Sequence, residues 1–448
     1  MVTEDVPVTP VARAAASIFT FVLISGILSF VFVIVVARTA GPAVRGALAF
    51  VVTVSTLLAF ASTLGLDTAN LYFAGKDRSA GRSLAFVSLL AGSVAAGVLS
   101  LVAWGVFLWK PHWVPRNVTH GLLTIGLAAS LLMACQLLMI SILIGTDHLR
   151  AANAIRLLPP SASLVVFIVA VSASHADAKV AVFSWVVGQV AGFVLAIVLV
   201  ARLVGVARPA KAAGWSRTLL RYGLAAHVGG LAELPIRRFD AIVLGATRSA
   251  TELGLYSAAV NVAEALMYIP ASVSLALLPA GASRSERESM SLTRRVLIVV
   301  LFVSSAIGAL GIIGAPHIVL LVFGRDFAGA ATPLRFLMIA AVGWGASRVL
   351  ATSLAARGRQ GFASLISLGT LAVIISADLV LIPRHGAPGA AWASAGTYWF
   401  GAAMMYGAFR RAYKATGPGR GSFPAETRAA IDAVITAFRG SRGVPPIT

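Results

Sequence analysis

Long apolar segments alternate with short polar connections along almost the whole chain. A segment of about 20 apolar residues is long enough to cross a bilayer as a helix. Twelve segments meet this criterion: 14–37, 47–66, 83–109, 120–145, 157–175, 178–203, 222–247, 254–280, 296–323, 332–356, 362–384 and 387–410. The pattern predicts an all-α, polytopic membrane protein with twelve transmembrane helices.

Composition and charge agree with this class of protein. Of the 448 residues 58% are hydrophobic and 12% are charged, about half the charged fraction of a typical soluble domain. The net charge is +20. In a membrane protein such an excess is typical of cytoplasmic loops that face anionic lipid. We therefore expect membrane lipid as a partner and no nucleic acid.

The positions of lysine and arginine predict the orientation. With the N-terminus in the cytoplasm, 24 of the 36 basic residues lie on the cytoplasmic side and eight outside, among them Arg38 and Arg45. The remaining four lie within spans. This asymmetry follows the positive-inside rule and places both termini in the cytoplasm. If 222–247 were a surface loop, the basic cluster at 284–295 would face outward, so the distribution favours a seventh span there.

The seventh span contains four ionisable residues within the sequence LAELPIRRFDAIVLGA (231–246). Glu233, Arg237 and Asp240 have helical spacing and share one face, whereas Arg238 projects from another. Pro235 predicts a kink or local opening of this helix. Charges at membrane depth are typical of transport pathways. An ion-pair cluster that only holds helices together is the alternative interpretation.

Polar residues also occur within later spans, where they favour a hydrated cavity. We expect two functional groups among these positions and those of the seventh span. The expected substrate-binding residues are Arg237, Arg238, Arg348, Asn261 and Tyr268. The expected charge ladder, available for ion coupling, comprises Glu233, Asp240, Glu264 and Asp378.

The two halves of the chain resemble each other. Residues 38–54 are similar to 248–262, and the equivalent glycines Gly46 and Gly254 are 208 positions apart. Six spans in each half predict parallel repeats that form two lobes around a central cleft. The predicted divisions are an N-terminal lobe (1–208), a C-terminal lobe (209–410) and a basic cytoplasmic tail (411–448). Within the tail, 424–440 has an apolar stripe that suits an interfacial helix; a solvated helix is the alternative.

Signatures of enzymes and cofactor sites are missing from the sequence. It contains no GK[ST], HExxH or GxSxG motif, and Cys135 is the only cysteine. The outer connections are too short for a catalytic domain. We therefore expect a transporter rather than an enzyme, with no cofactor and no metal site, driven by an ion gradient or by substrate mass action.

Four stretches together resemble a known family. They are VARTAGPAVRGALAF (36–50), RFDAIVLGATRSATELGLYSAAVNVAEALMYIPASVSLALLPAGAS (238–283), LLVFGRDFAGAATPLRFL (320–337) and LVLIPRHGAPGAAWASA (379–395). In this order and spacing they resemble the oligosaccharide flippases of the multidrug/oligosaccharidyl-lipid/polysaccharide exporter superfamily.

The resemblance implies that the chain moves lipid-linked oligosaccharide repeat units across a bacterial cytoplasmic membrane by alternating access. The polyprenyl pyrophosphate carrier would contact the protein, and polysaccharide polymerase and glycosyltransferases would be partners. A cation-coupled exporter of small molecules on the same fold and a lipid II flippase are the alternatives. Lipid II flippases usually carry arginine in the first span, whereas 14–37 has no charge here.

Overall fold

The computed structural model describes residues 8–205, 217–224, 227 and 232–415, and the regular elements of these residues are all helices. In chain order they are α1 (Val8–Ser62), α2 (Leu66–Lys76), α3 (Gly81–Trp109), α4 (His120–Gly145), α5 (Leu149–Ala173), α6 (Ala178–Leu203), α7 (Glu233–Thr247), α8 (Ala250–Ala282), α9 (Glu286–Phe323), α10 (Ala331–Ala356) and α11 (Gln360–Ala415). Residues 217–224 are also helical. The predicted all-α class is confirmed.

Nine of the described helices are long and apolar enough to cross a membrane. Two of them, α1 and α11, bend at a glycine with positive φ: Gly41 at 76° and Gly386 at 60°. Glycine adopts this conformation without steric cost, and a proline follows each bend at Pro42 and Pro388. Each bent helix supplies two consecutive predicted spans, so the nine helices account for eleven of the twelve.

The remaining predicted span, 222–247, is described in part. Residues 222–224 and His227 are helical, and α7 forms its last 15 residues. The intervening positions lie outside the described residues, as does the predicted interfacial segment 424–440. The twelve-helix arrangement in two six-helix repeats stays a prediction.

The start predicted for the span 157–175 lies eight residues after the start of the helix in the structure. Helix α5 starts at Leu149 and continues through Pro159 and Pro160. The prolines are accommodated because α6 presents glycines to them: a Cβ on Gly188 would lie 2.4 Å from the Pro159 carbonyl oxygen, and one on Gly192 would lie 2.5 Å from Pro159 Cγ. These glycines form a packing surface between neighbouring helices.

The chain divides into two compact units, which are described separately. The first comprises Met1–Ala258 and Val322–Phe327, and the second Ala259–Leu321 and Ala328–Thr448. Apolar side chains of α3–α6 build a core in the first unit, including Cys135, Met139, Ile142, Ala152 and Ala196. In the second unit, α8–α11 build another, including Leu277, Met290, Val349, Leu354 and Met405. The described residues between 217 and 258 group with the first unit, and the predicted division into lobes stays a prediction.

Helix α3 presents an apolar face that the described chain leaves uncovered. Leu90, Val94 and Leu101 are exposed along it, and Trp109, at its end, is 76% exposed. The Lys110 Nζ lies 4.4 Å from the centroid of the Trp109 ring. An exposed apolar stripe that ends in tryptophan and lysine is typical of a lipid-facing helix meeting the membrane interface.

The predicted orientation can be tested by single cysteines in a Cys135→Ala background, since Cys135 is the only cysteine and is buried. Ser79, Ser283 and His112 are exposed. We expect Ser79→Cys and Ser283→Cys to resist an impermeant thiol reagent in intact cells and to react after permeabilisation. His112→Cys should react in both conditions. Reaction of Ser283→Cys in intact cells, with Ser79→Cys protected, would contradict the seventh crossing.

Candidate functional site

Helix α7 carries the four ionisable residues of the seventh predicted span. The helix begins at Glu233, directly after a turn at Ala232. Pro235 therefore lies in the first turn, where its missing N–H requires no partner within the helix. The acidic Glu233 in this turn also suits the positive end of the helix dipole. Residues 228–231 lie outside the described residues, so the predicted kink or opening of this span stays a prediction.

The four side chains differ in exposure. Glu233 is exposed, Arg237 and Arg238 are half-buried, and Asp240 is buried. Helical geometry places Glu233, Arg237 and Asp240 on one face. Burial along this face therefore increases from Glu233 at the start of α7 to Asp240.

Asp240 joins α7 to α8. The hydroxyl of Tyr256 donates a hydrogen bond to Oδ2 of Asp240, and the backbone N–H of Ala241 donates to Oδ1 at 2.6 Å. Tyr256 is fully buried. A buried carboxylate needs such donors because it has lost its hydration. Tyr256 was missed at the sequence level, although a tyrosine within an apolar span is a signal of this kind.

Close backbone contacts hold α8 and α7 against the second segment of α1. A Cβ on Gly46 would lie 1.8 Å from the Ala250 carbonyl oxygen, and one on Gly254 would lie 1.8 Å from the Pro42 carbonyl oxygen. A Cβ on Gly245 would lie 2.5 Å from the Phe50 ring. Only glycine allows the helices to approach this closely.

Arg45 lies beside this contact and is only 6% exposed. The sequence pattern placed it in a connection between two spans, whereas the structure shows that it is helical and buried. The helix resumes directly after the bend at Gly41, so Arg45 lies within helical structure, next to Gly46. Its Nε has no hydrogen-bond partner among the described residues.

The other predicted site residues belong to the second unit. On α8, Asn261 and Glu264 are half-buried and Tyr268 is exposed. Arg348 on α10 is half-buried, and Asp378 on α11 is fully buried. The residues on α8 lie in one continuous helix, so their predicted common face is consistent with its geometry. The predicted residues thus form one group on α7 and another in the second unit, and their roles stay predictions.

Outside the spans, local contacts set two pKa values. The Ser79 hydroxyl donates to Asp77 Oδ1 at 2.7 Å, and this bond lowers the pKa of that carboxyl. Partial burial lowers the pKa of Arg357, whose guanidinium donates to Ser353 Oγ at 2.8 Å. Both contacts stabilise turns between helices. Within the described part of the chain, no cluster of three or more histidine, cysteine or acidic residues could hold a metal ion.

Comparison with known proteins identifies the family. Residues 11–285 match the model of the family described as "Polysaccharide biosynthesis protein". This match covers more than half of the chain and includes α7, Arg45 and Tyr256. No curated protein shows a significant match.

Solved structures of transporters share the fold. An inward-facing multidrug resistance MATE family transporter of the MOP superfamily has a TM-score of 0.73 at 13% identity, covering 88% of this chain and 96% of its own. The lipid II flippase MurJ, in an inward closed conformation, has a TM-score of 0.73 at 12% identity. The match covers 96% of this chain and 94% of the flippase. A eukaryotic MATE transporter has a TM-score of 0.66 at 12% identity, and the match covers 94% of this chain and 98% of the transporter.

These structures belong to transporters and flippases rather than to enzymes, and the nine apolar helices agree with a multi-pass membrane protein. Similarity at this level of identity describes the fold and leaves the substrate open. The chain belongs to the polysaccharide biosynthesis protein family and has the fold of the MOP superfamily of transporters.

Proposed function

We propose that this protein flips lipid-linked oligosaccharide repeat units, carried on polyprenyl diphosphate, across the cytoplasmic membrane of a bacterium by alternating access. The observation that carries the proposal is the pair of half-buried guanidiniums on α7, Arg237 and Arg238, within an apolar chain of the polysaccharide biosynthesis family. A cation at this depth is costly unless it is paired, hydrated or used.

The chemistry of these side chains suits a diphosphate. A guanidinium stays charged in a poorly hydrated site and can hold phosphate oxygens through two parallel hydrogen bonds. Residue 234 is the midpoint of the predicted span 222–247. Arg237 and Arg238 then lie within about 6 Å of the membrane midplane at about 1.5 Å per residue. A headgroup that crosses the bilayer must pass this depth.

The remaining predicted residues have complementary roles in the proposal. Glu233, one helical turn from Arg237, would hold that guanidinium when no substrate is bound. Asp240, which Tyr256 and Ala241 already engage, would keep this part of α7 in position. In the second unit, Arg348 would be a further phosphate contact, and Asn261 and Tyr268 would hydrogen-bond the sugars.

A cation-coupled exporter of small molecules is the second candidate. Asp378, fully buried on α11, and Glu264, half-buried on α8, favour it because carboxylates within a membrane protein are typical of ion-coupling sites. A lipid II flippase would use the same diphosphate chemistry with a different sugar-peptide headgroup. The family match favours an oligosaccharide, with polymerase and glycosyltransferases as functional partners.

Transport by the purified full-length protein in vesicles distinguishes these candidates. Three fluorescent probes would be compared: a polyprenyl diphosphate-linked oligosaccharide, lipid II, and a cationic dye with an imposed proton or sodium gradient. Flipping would be measured as the fraction of lipid probe accessible to an impermeant quencher. We expect the oligosaccharide lipid to flip fastest. Transport of the dye alone would identify an exporter, and preference for lipid II would identify a lipid II flippase.

A further inference from the structure

A cavity of about 560 Å³ lies where four helices of the first unit, α3–α6, begin or end. This volume is within the range of about 300–1,000 Å³ that is usual for small-molecule sites. The polar part of its lining comprises Arg78, Ser79, Arg82, Thr146, Asp147 and His148. Two apolar residues, Leu203 and Val204, also line it. The transport pathway proposed above uses none of these residues.

The charges of the lining favour an anion. Arg78 and Arg82 contribute two positive charges and Asp147 one negative charge, so the net charge is positive even with a neutral histidine. Nη2 of Arg78 and Oδ2 of Asp147 are 3.0 Å apart, and both side chains are more than half exposed. An exposed ion pair is weak, and a guanidinium has five N–H donors. Arg78 can therefore bind a phosphate oxygen while it still contacts Asp147.

The helix ends around the cavity also suit an anion. Helices α3 and α5 begin there, with the positive ends of their dipoles. Helices α4 and α6 end there, but carbonyl oxygens at these ends already have donors. Nε of Arg82 donates to the Val204 carbonyl oxygen at 3.1 Å, and the Thr146 hydroxyl donates to the Ile142 carbonyl oxygen at 2.9 Å. The first of these bonds also holds Arg82 at the cavity.

The cavity lies at the level of lipid headgroups. Arg82 precedes Trp109 by 27 residues along α3, a rise of about 40 Å at about 1.5 Å per residue. A bilayer with its headgroup regions has a similar thickness, about 40–45 Å. Because Trp109 marks one membrane surface, Arg82 lies at the other, which is the cytoplasmic surface in the predicted orientation.

Apolar surface borders the cavity. Leu203, in its lining, is 44% exposed. Helices α3 and α6, which reach the cavity, also expose apolar side chains closer to the membrane centre, among them Val94 and Ile197. A soluble phosphate would make no contact with this surface, whereas the acyl chains of a phospholipid would lie against it. The combination of basic lining and apolar border therefore favours a lipid over a free anion.

We propose that this cavity binds the phosphate diester headgroup of an anionic phospholipid from the cytoplasmic leaflet. The guanidiniums of Arg78 and Arg82 bind the phosphate oxygens, and the acyl chains stay in the bilayer beside α3 and α6. A basic recess at this membrane surface suits such lipids because the cytoplasmic leaflet is anionic. The bound headgroup would connect the α2–α3 and α4–α5 turns. This inference does not depend on the proposed transport function.

Native mass spectrometry of the purified full-length protein in detergent would count the bound lipids. The probes are phosphatidylglycerol, phosphatidylcholine with the same acyl chains, and soluble glycerol 3-phosphate. We expect the first phosphatidylglycerol to bind at least about tenfold more tightly than phosphatidylcholine, the effect of one charged hydrogen bond. Glycerol 3-phosphate, which lacks acyl chains, should not bind at the same concentration.

Two double variants with the same change in net charge complete the test. Arg78→Gln/Arg82→Gln should weaken the binding of the first phosphatidylglycerol at least about tenfold and leave phosphatidylcholine unaffected. Arg150→Gln/Arg202→Gln is the matched control, because both arginines are exposed beside the cavity but outside its lining. It should bind phosphatidylglycerol like the wild type. All four positions are exposed, so gel filtration should give a monodisperse peak for each variant.

If Arg78→Gln/Arg82→Gln is not monodisperse, the two single variants decide. A weaker affinity for phosphatidylglycerol in either of them, absent from the control, supports the site, and no loss in both overturns it.

Three other outcomes would overturn the proposal. Wild-type affinity of Arg78→Gln/Arg82→Gln for phosphatidylglycerol would show that the cavity does not bind the headgroup. An equal loss in Arg150→Gln/Arg202→Gln would show a general attraction of anionic lipid to a basic surface. Binding of glycerol 3-phosphate as tight as that of phosphatidylglycerol would identify a site for a soluble phosphate instead of a lipid.

Discussion

Arg238→Ala is expected to reduce the initial rate of oligosaccharide-lipid flipping at least about tenfold while the protein remains inserted and abundant. A hydrogen bond to a charged group contributes about 1.5–3 kcal/mol, and about 1.4 kcal/mol corresponds to a factor of ten in affinity or rate. Because Arg238 is only half-buried, its removal should cost the first unit little stability. We expect Arg348→Ala to have a similar effect on flipping.

The measurement compares flipping rates in vesicles that contain equal amounts of each purified variant. Arg238→Lys and Arg348→Lys should recover only part of the rate, because lysine keeps the charge but cannot hold two phosphate oxygens at once. Arg116→Ala is the matched control and should flip at the wild-type rate. Normal rates in both Arg238→Ala and Arg348→Ala would mean that these charges are structural. Loss of flipping through degradation alone would favour the ion-pair interpretation.

Alanine at Gly46 or Gly254 is expected to prevent normal assembly of the helices. The added methyl group would lie 1.8 Å from a backbone carbonyl oxygen in either case, far inside van der Waals contact. Backbone atoms cannot rotate away as a side chain can, so the helices must separate. Overpacking usually costs about 1–3 kcal/mol, and we expect these two substitutions to reach or exceed the upper end of that range.

Fluorescence-detected gel filtration of detergent extracts would measure the effect as the fraction of protein in the monodisperse peak. Gly97→Ala provides a control in another membrane helix, since a Cβ there would meet nothing within 4 Å. It should behave like the wild type or slightly better, because alanine has a higher helix propensity than glycine. Gly46→Ala and Gly254→Ala variants with the wild-type profile and Tm would show that the helices do not pack as described.

The spans were predictable because each is a local property of the chain. Apolar segments of sufficient length define the helices, and glycine followed by proline at Gly41 and near Gly386 marks the bends. The environment of Arg45 was not predictable in this way. The stretch 38–45 has arginine at both ends and a Gly-Pro pair between them, a pattern typical of a loop. In the structure it packs against residues about 200 positions further along the sequence. The Asp240–Tyr256 bond depends on how the consecutive helices α7 and α8 pack against each other.

The similarity between the two halves of the sequence did not indicate that the corresponding glycines would be in contact. Gly46 and Gly254 were recognised as equivalent positions, 208 residues apart. The structure places them against each other, with Gly46 facing Ala250 and Gly254 facing Pro42, four residues before the opposite glycine in both cases. This reciprocal contact lies within the first unit, and the predicted arrangement of the two repeats stays a prediction.

The exposed face of α3 also bears on the lipid environment of the protein. From Leu90 to Trp109 the helix rises by about 28 Å at about 1.5 Å per residue, close to the hydrocarbon thickness of about 30 Å in an ordinary bilayer. Trp109 and Lys110 then lie at the level of the headgroups. A bilayer with acyl chains of common length therefore covers this helix without hydrophobic mismatch, whereas a thinner one would require it to tilt.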